Sequence, residues 1–123
     1  NIIAGDGNDI IFGNNLDNNI VTGKGNDIIY PGSGKNYITC GKDSKKIVIK
    51  YDETFGTRDK IYNFKPNIDK IDISDFKRIL PDLGSEFNNL NIKSSLGSLY
   101  ITLPNTKIIL SGITDVLPTD LII

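Results

Sequence analysis

Residues 2–48 read IIAGDGNDIIFGNNLDNNIVTGKGNDIIYPGSGKNYITCGKDSKKIV. Isoleucine returns at every ninth position, and short runs rich in glycine, asparagine and aspartate separate these isoleucines. Two of the runs, residues 4–9 and 22–27, differ at only two positions. An internal repeat sets the architecture of a chain, so it is the first pattern to interpret. The recurring isoleucines are Ile2, Ile11, Ile20, Ile29, Ile38 and Ile47.

A nine-residue period is too short for a helical repeat, but it suits a tight turn followed by a three-residue strand. Side chains alternate along a strand, so the central isoleucine points inward and its neighbours point outward. Two units then complete one coil of a flattened right-handed solenoid. Successive isoleucines are expected on opposite sheets, with Ile2, Ile20 and Ile38 in one and Ile11, Ile29 and Ile47 in the other. The period predicts an all-β fold, a parallel β-roll whose stacked coils stabilise one another.

The repeats resemble the RTX nonapeptide Gly-Gly-x-Gly-x-Asp-x-U-x, in which U is an apolar residue. The runs GDGNDII at residues 5–11 and GKGNDII at residues 23–29 carry the resemblance, and the isoleucine column extends it over five units. The resemblance implies a calcium-binding β-roll. A calcium-free β-solenoid is the alternative interpretation of the same period.

The calcium ligands are expected in the turns that end at Asp9 and Asp27. In a β-roll each turn stacks on the turn eighteen residues later, so these two carboxylates would share one ion. Calcium takes six or more oxygen ligands, and turn carbonyls would supply the others. Without a cation the two carboxylates would repel each other. The expected ligands are Gly5, Gly7, Asp9, Gly23, Gly25 and Asp27.

The opposite edge of the roll carries Asn18 and Asn36 at the equivalent positions. Neutral amides do not compensate the charge of a cation, and they can bond to each other and to the turn backbone. This edge is predicted to be mostly independent of calcium, although Asp17 keeps a weak ion site open.

Lys45 occupies the position where the nine-residue period expects the next aspartate after Asp27. Its ammonium is expected either to replace the next calcium and pair with Asp27, or to point to water. Asp43 offers a carboxylate near the same gap and is a second-tier calcium ligand.

Residues 1–50 are assigned to the roll, and residues 51–123 to a C-terminal antiparallel cap within one continuous domain. The pattern predicts a polar loop over residues 52–58, a strand around Ile61, a turn at Pro66-Asn67 and a short strand at residues 70–73. It also predicts one short helix over residues 75–80 with Ser74 as its N-cap, and a β-meander over residues 88–123.

The run from Asp59 to Phe64, followed by residues 69–74, resembles the cap that follows the roll in serralysin-type metalloproteases and mannuronan C5-epimerase R-modules. The resemblance implies that this segment closes the open end of the roll. It also implies that Asp69 and Asp72 are second-tier calcium ligands, with solvated charges on an edge strand as the alternative. Residues 119–123 resemble the end of type I secretion substrates, but a final strand packed on the core would have the same pattern.

Composition excludes several classes of protein. The chain has no histidine, so it lacks a histidine zinc site, a histidine triad and a histidine general base, and the fragment is predicted not to be an enzyme. The net charge of −1 does not point to nucleic acid as a partner. No apolar run is long enough to be a transmembrane segment, and residues 1–5 lack the basic start and apolar core expected of a signal peptide. Cys40 is the only cysteine, which excludes an internal disulfide.

Two functions remain open. In the first, the module binds calcium ions and folds outside the cell after passage through type I secretion machinery, as part of a longer protein from a Gram-negative bacterium. In the second, the roll binds a polysaccharide or a cell surface for an upstream catalytic domain. The second function depends on the outward roll positions, which are Ile10, Phe12, Asn19, Val21, Ile28, Tyr30, Tyr37 and Thr39.

Overall fold

The computed structural model describes residues 1–52, 56–80, 90–116 and 118–123. They form two β-sheets and two short 3-10 helices, Ser74–Arg78 and Pro118–Asp120. No helix in these ranges is long and apolar enough to cross a lipid bilayer. The strands in chain order are β1 (Ile2–Ile3), β2 (Ile10–Phe12), β3 (Asn19–Val21), β4 (Gly25–Tyr30), β5 (Tyr37–Thr39), β6 (Ser44–Lys50), β7 (Thr57–Tyr62), β8 (Lys70–Asp72), β9 (Asn91–Ser95), β10 (Ser98–Leu103), β11 (Thr106–Ser111) and β12 (Leu121–Ile122).

The first eight strands alternate between the two sheets, as a β-roll requires. The seven-stranded sheet has the order β1-β3-β5-β7-β11-β10-β9, and the five-stranded sheet has the order β12-β8-β6-β4-β2. The pairs among β1–β8 are parallel, and in the first coils partners are eighteen residues apart, as in Ile2–Ile20 and Ile11–Ile29. The predicted all-β fold and parallel β-roll are confirmed.

The inward and outward positions of the roll follow the predicted alternation. Ile20, Ile29 and Ile38 are fully buried between the sheets, and Ile11 is nearly so. All eight predicted outward positions are half-buried or exposed, and Phe12 is 67% exposed. Strands β2–β5 therefore bury one isoleucine each and leave the residues on either side of it at or near the surface.

The nine-residue register fails between β4 and β6. Ile47 is buried in the sheet of Ile11 and Ile29 as predicted, but it lies opposite Asp27, and Ile49 takes the place opposite Ile29. Two extra residues cause the shift. Partners are already nineteen residues apart at Gly25 and Ser44 instead of eighteen, and they are twenty apart at Asn26 and Lys46, where Lys45 is left without a partner as a bulge. A bulge of this kind inserts one residue into a strand and displaces everything after it.

Parallel stacking continues past residue 50. Ile61 of β7 lies opposite Ile38 of β5, and Ile71 of β8 lies opposite Ile49 of β6. Both new isoleucines are fully buried. The roll thus gains one strand in each sheet from sequence that no longer keeps the nine-residue period.

The C-terminal part closes the roll. Strands β9–β11 form the predicted antiparallel meander, and β11 joins it to the roll by pairing in parallel with β7. The end of the chain forms β12, which pairs with β8, so the final-strand interpretation of residues 119–123 describes their structure. The start of the meander at residues 88–89 and residues 53–55 of the predicted loop lie outside the described residues.

The predicted helix over residues 75–80 is a 3-10 helix at Ser74–Arg78. Ser74 is its first residue and does not act as the N-cap, which is Ile73. The reason is that the Ser74 amide and hydroxyl both donate to Oδ1 of Asp72, at 3.0 and 2.6 Å. This local pairing fixes the chain direction after β8.

Candidate metal site

One edge of the roll, which we call the aspartate edge, consists of the segments that lead into β2, β4, β6 and β8. The parallel register of β2 and β4 sets Asp9 next to Asp27. The Asp9 amide donates to Oδ1 of Asp27 at 3.0 Å, across eighteen residues of sequence. Two of the predicted calcium ligands are therefore brought together.

Each of these aspartates keeps one oxygen without a protein partner. Oδ2 of Asp9 and Oδ2 of Asp27 are both buried, and neither accepts a hydrogen bond from the described residues. Asp27 is only 1% exposed. Burial raises the pKa of the Asp27 carboxyl above its ordinary value, the amide of Asp9 lowers it, and the charge of Asp9 raises it further. An unpaired buried carboxylate is costly, so this pair of oxygens needs a cation.

The glycines of the same edge let the turns stack backbone on backbone. A Cβ at Gly23 would overlap the carbonyl oxygen of Gly5, and a Cβ at Gly25 would overlap the carbonyl oxygen of Gly7. Gly25 also has φ +104°, a conformation that residues with a side chain rarely adopt. Carbonyl oxygens of one turn are therefore held directly against the next turn.

The donor set fits calcium. In the described ranges no three side chains of histidine, cysteine, aspartate or glutamate converge, so backbone carbonyls must complete any coordination shell. Two carboxylates and several carbonyls form an oxygen-only set, which suits a hard cation with many ligands. Asp9, Asp27 and the carbonyls of Gly5 and Gly7 would hold the ion, with Gly23 and Gly25 allowing the approach.

The opposite edge, the asparagine edge, uses its polar side chains differently. The Asn18 amide donates to Oδ1 of Asn36 at 2.9 Å, and the Asn36 amide donates to Oδ1 of Asp59 at 3.0 Å. The Asn18 side chain bonds to Asn14, and Oδ1 of Asp17 accepts from the Lys35 amide at 2.8 Å. The predicted hydrogen bonding of the asparagines is confirmed, and independence from calcium remains a prediction.

The comparison with known families agrees with this geometry. Residues 3–38 match the family model of the RTX calcium-binding nonapeptide repeat, in four copies. These residues are RTX repeats. The matched range contains both aspartates and all four glycines of the site, so calcium is the cofactor that the RTX repeats bind. The chain has no match among the curated proteins.

Lys45 does not lie above Asp27 in the RTX roll. Ile47 occupies that place, and Lys45 is exposed at the bulge. The prediction that Lys45 stands in the aspartate column is therefore wrong, because two inserted residues shift the register of β6. The Lys45 side chain is exposed to water, which is the alternative prediction for this residue.

Another lysine, Lys65, contacts the turn at residues 41–44, which stacks on the turn before Asp27 at the aspartate edge. The Lys65 ammonium donates to the carbonyl of Ser44 at 2.7 Å, to the Ser44 hydroxyl at 2.5 Å and to the carbonyl of Gly41 at 3.4 Å. Gly41 in turn packs against the carbonyl of Gly23, so this turn is the next one on the aspartate edge. Lys65 thus donates hydrogen bonds to turn oxygens beyond the calcium-binding RTX repeats.

The three second-tier aspartates, Asp43, Asp69 and Asp72, differ in burial and in their contacts with the protein. Asp43 is exposed in its turn. Asp69 is fully buried, and its two oxygens accept from the amides of Ile47 at 2.9 Å and Lys65 at 2.8 Å. Asp72 binds Ser74 through Oδ1, and its Oδ2 lies 3.6 Å from the Lys50 ammonium. A calcium role for these three residues stays a prediction, and the contacts of Asp69 and Asp72 favour a structural role.

Two residues that contact the edges of the roll, Asp59 and Lys65, are not predicted by the nine-residue pattern. Asp59 is buried, and Oδ1 accepts from the Asn36 amide and the Thr57 hydroxyl. A signal for Asp59 exists: Asp or Asn stands two residues before an inward isoleucine at residues 9, 18, 27, 36, 59 and 69. This three-residue pattern persists where the spacing changes. Nothing local to Lys65 indicates its contact.

Calcium affinity is expected to depend on pH through Asp27. Its raised pKa means that the calcium-free fold gains stability from the protonated carboxyl below the ordinary value of 3.8 and loses it as pH rises through the folded-state pKa. Calcium needs the ionised form, so its affinity should increase with pH over the same window and then level off. Calorimetric titrations between about pH 4 and pH 7 would measure this. An affinity that falls with rising pH would contradict it.

Proposed function

We propose that this chain is a module that folds on binding calcium and that supports secretion of a larger protein through a type I system. The observation that carries the proposal is the pair of buried, unpartnered oxygens on Asp9 and Asp27. Without calcium these charges oppose stacking of the first coils. The bacterial cytosol holds little free calcium, so the N-terminal coils would stay unstacked before export, and calcium outside the cell would drive their folding.

The β-roll itself provides little else to hold its N-terminal coils together. Strands β1, β2, β3 and β5 are two or three residues long and each buries one isoleucine at most. A repeat that buries so little apolar surface relies on its neighbours and on any ligand that binds only the stacked form. Calcium is such a ligand for the RTX repeats.

Far-UV circular dichroism of the chain in EDTA and in millimolar calcium tests the folding step. We expect calcium to increase the β-sheet signal and to raise the melting temperature. For calcium at about 100 times its dissociation constant, the stabilisation would be about 2.7 kcal/mol. Magnesium at the same concentration is the control, because it prefers rigid octahedral sites that retain water. Identical spectra and melting temperatures in all three conditions would contradict the proposal.

The secretion step has its own test. The chain should appear in the medium of cells that carry a type I transporter and remain inside cells of the same strain without it. Equal amounts in both media would contradict this part of the proposal while leaving calcium-driven folding intact.

A second candidate function is attachment to a polysaccharide or a cell surface. The outward face of the first coils favours it, because Phe12 and Tyr30 stack there with ring centroids 4.8 Å apart and both rings exposed. Exposed aromatic rings at a flat sheet surface are typical of recognition sites.

A further inference from the structure

The dipeptide Asp6-Gly7 lies in the first turn of the aspartate edge. It is the one place in the sequence where aspartate or asparagine directly precedes glycine. A backbone amide nitrogen can attack the side-chain carboxyl of the preceding aspartate, and glycine permits this approach best because it has no Cβ and the widest choice of backbone angles. The equivalent position in the next coil is Lys24, so the turn itself does not require an aspartate there. Asp6-Gly7 therefore carries a reactivity that neither the roll nor its metal site explains.

The reaction at this dipeptide needs no reagent other than water. The Gly7 nitrogen bonds to Cγ of Asp6, and its proton leaves with the carboxyl hydroxyl as water, which closes a five-membered succinimide ring. Water then adds to one of the two ring carbonyls. Cleavage of the nitrogen–Cγ bond restores aspartate, whereas cleavage of the bond to the α-carbonyl carbon gives isoaspartate. Isoaspartate has the same mass as aspartate, but its main chain runs through the former side chain and is one methylene longer.

Stacking of the first coils holds both reacting groups through one residue, Lys24. The Gly7 amide donates to the Lys24 carbonyl at 3.2 Å, and Oδ2 of Asp6 accepts from the Lys24 ammonium at 3.4 Å. The ring can close only if the Gly7 nitrogen gives up its hydrogen bond and the carboxyl turns toward it. The ion pair is exposed and contributes little, so the backbone hydrogen bond is the main restraint. It exists only while the coil of Asp9 is stacked on the coil of Asp27.

The stacked turn has no room for the isomerised main chain. The carbonyl oxygen of Gly7 lies so close to Gly25 that a Cβ on Gly25 would overlap it. An extra methylene between Asp6 and Gly7 would displace this carbonyl, which is one of the oxygens that would hold the ion. An isomerised first turn is therefore expected to stack poorly and to bind calcium weakly.

We propose that Asp6-Gly7 is a site of spontaneous isoaspartate formation, which proceeds while the first coils are unstacked and which calcium suppresses by stacking them. Chains that stay long without calcium would accumulate a modified first turn and lose the metal site, whereas chains that fold promptly would keep it. The inference rests on the calcium-driven folding proposed above and goes beyond it, because that function requires no covalent change.

The full chain should be incubated for weeks at physiological temperature and neutral pH, in EDTA and in millimolar calcium. Trypsin then releases residues 1–24, and electron-transfer fragmentation in a mass spectrometer distinguishes isoaspartate from aspartate at residue 6. The rate should follow the population of the unstacked form, so calcium at about 100 times its dissociation constant should slow the reaction by up to about a hundredfold. Asp6→Glu keeps the charge but could close only a less favourable six-membered ring, so this variant should form no isomer at residue 6 in EDTA.

Two further variants link the protection to the metal site. In calcium, Asp27→Asn should lose most of the protection at residue 6, whereas Asp17→Asn on the asparagine edge should keep it. Circular dichroism of each sample separates the two proposals. A chain that folds on calcium but isomerises equally in calcium and in EDTA overturns only this inference, as does a chain that forms no isoaspartate in EDTA. A chain whose spectrum and stability do not respond to calcium removes both the folding proposal and this inference.

Discussion

In millimolar calcium, Asp27→Asn should lower the free energy of unfolding, whereas in EDTA the same substitution should raise it. Asparagine keeps the acceptor for the Asp9 amide and removes one of the two charges that face the ion. In calcium the variant should lose most of the stabilisation that the ion provides, about 2–3 kcal/mol at saturating calcium. In EDTA it no longer carries a buried charge beside Asp9, whose repulsion contributes to the raised pKa of Asp27. Urea unfolding in the two conditions measures both effects.

Asp17→Asn is the matched control on the asparagine edge. Its carboxylate also accepts a backbone amide across one coil, that of Lys35, but it is exposed and has no facing carboxylate. It should change stability by less than about 0.5 kcal/mol in both conditions. If Asp27→Asn has the same sign in EDTA and in calcium, the assignment of the ion to the aspartate edge is wrong.

Lys65→Met should destabilise the calcium-free chain by about 2–3 kcal/mol. Methionine retains the apolar stem of the lysine but leaves the carbonyls of Gly41 and Ser44 without their donor. It also removes the cation whose charge lowers the pKa of buried Asp69, after the larger effects of burial and of the amides of Lys65 and Ile47. Urea unfolding in EDTA measures the loss separately from calcium binding.

Lys46→Met provides the comparison, because Lys46 is exposed in β6. It should cost less than about 0.5 kcal/mol. Adding Asp69→Asn to Lys65→Met removes the uncompensated charge, but asparagine has one acceptor oxygen where Asp69 uses two, so one of the amides of Ile47 and Lys65 would face an NH2 group and the double variant should not recover the lost stability. Equal losses for the two lysine variants would show that the contacts of Lys65 contribute nothing beyond those of a surface lysine.

The sequence predicts the first coils well because a single physical pattern repeats there. The buried isoleucine, its outward neighbours and the glycine turn all recur with the same nine-residue period. Asp9 and Asp27 face each other as that period requires. The glycines at residues 23 and 25 are required for the same reason, since each receives a carbonyl of the preceding coil.

The later coils could not be predicted from the period because two inserted residues shift every following position. The two extra residues before Lys46 place Ile47 opposite Asp27 and Ile49 opposite Ile29, and both isoleucines are buried. Strands β7 and β8 extend the roll with longer coils, and only the spacing of an acid or amide two residues before isoleucine connects Asp59 and Asp69 with the earlier repeats. Lys65 reaches the turn at Ser44 from 21 residues away, a contact that sequence spacing alone does not indicate.

The position of Lys65 gives the roll a direction of growth. The oxygens of the turn at residues 41–44 accept hydrogen bonds from an ammonium of the chain itself, so we expect this end to form before any ion binds. It then serves as a template on which the coil of Asp27 is laid, and that coil in turn presents the surface for the coil of Asp9. Assembly would proceed from the C-terminal side toward the N-terminus, with the metal required only for the outermost layers.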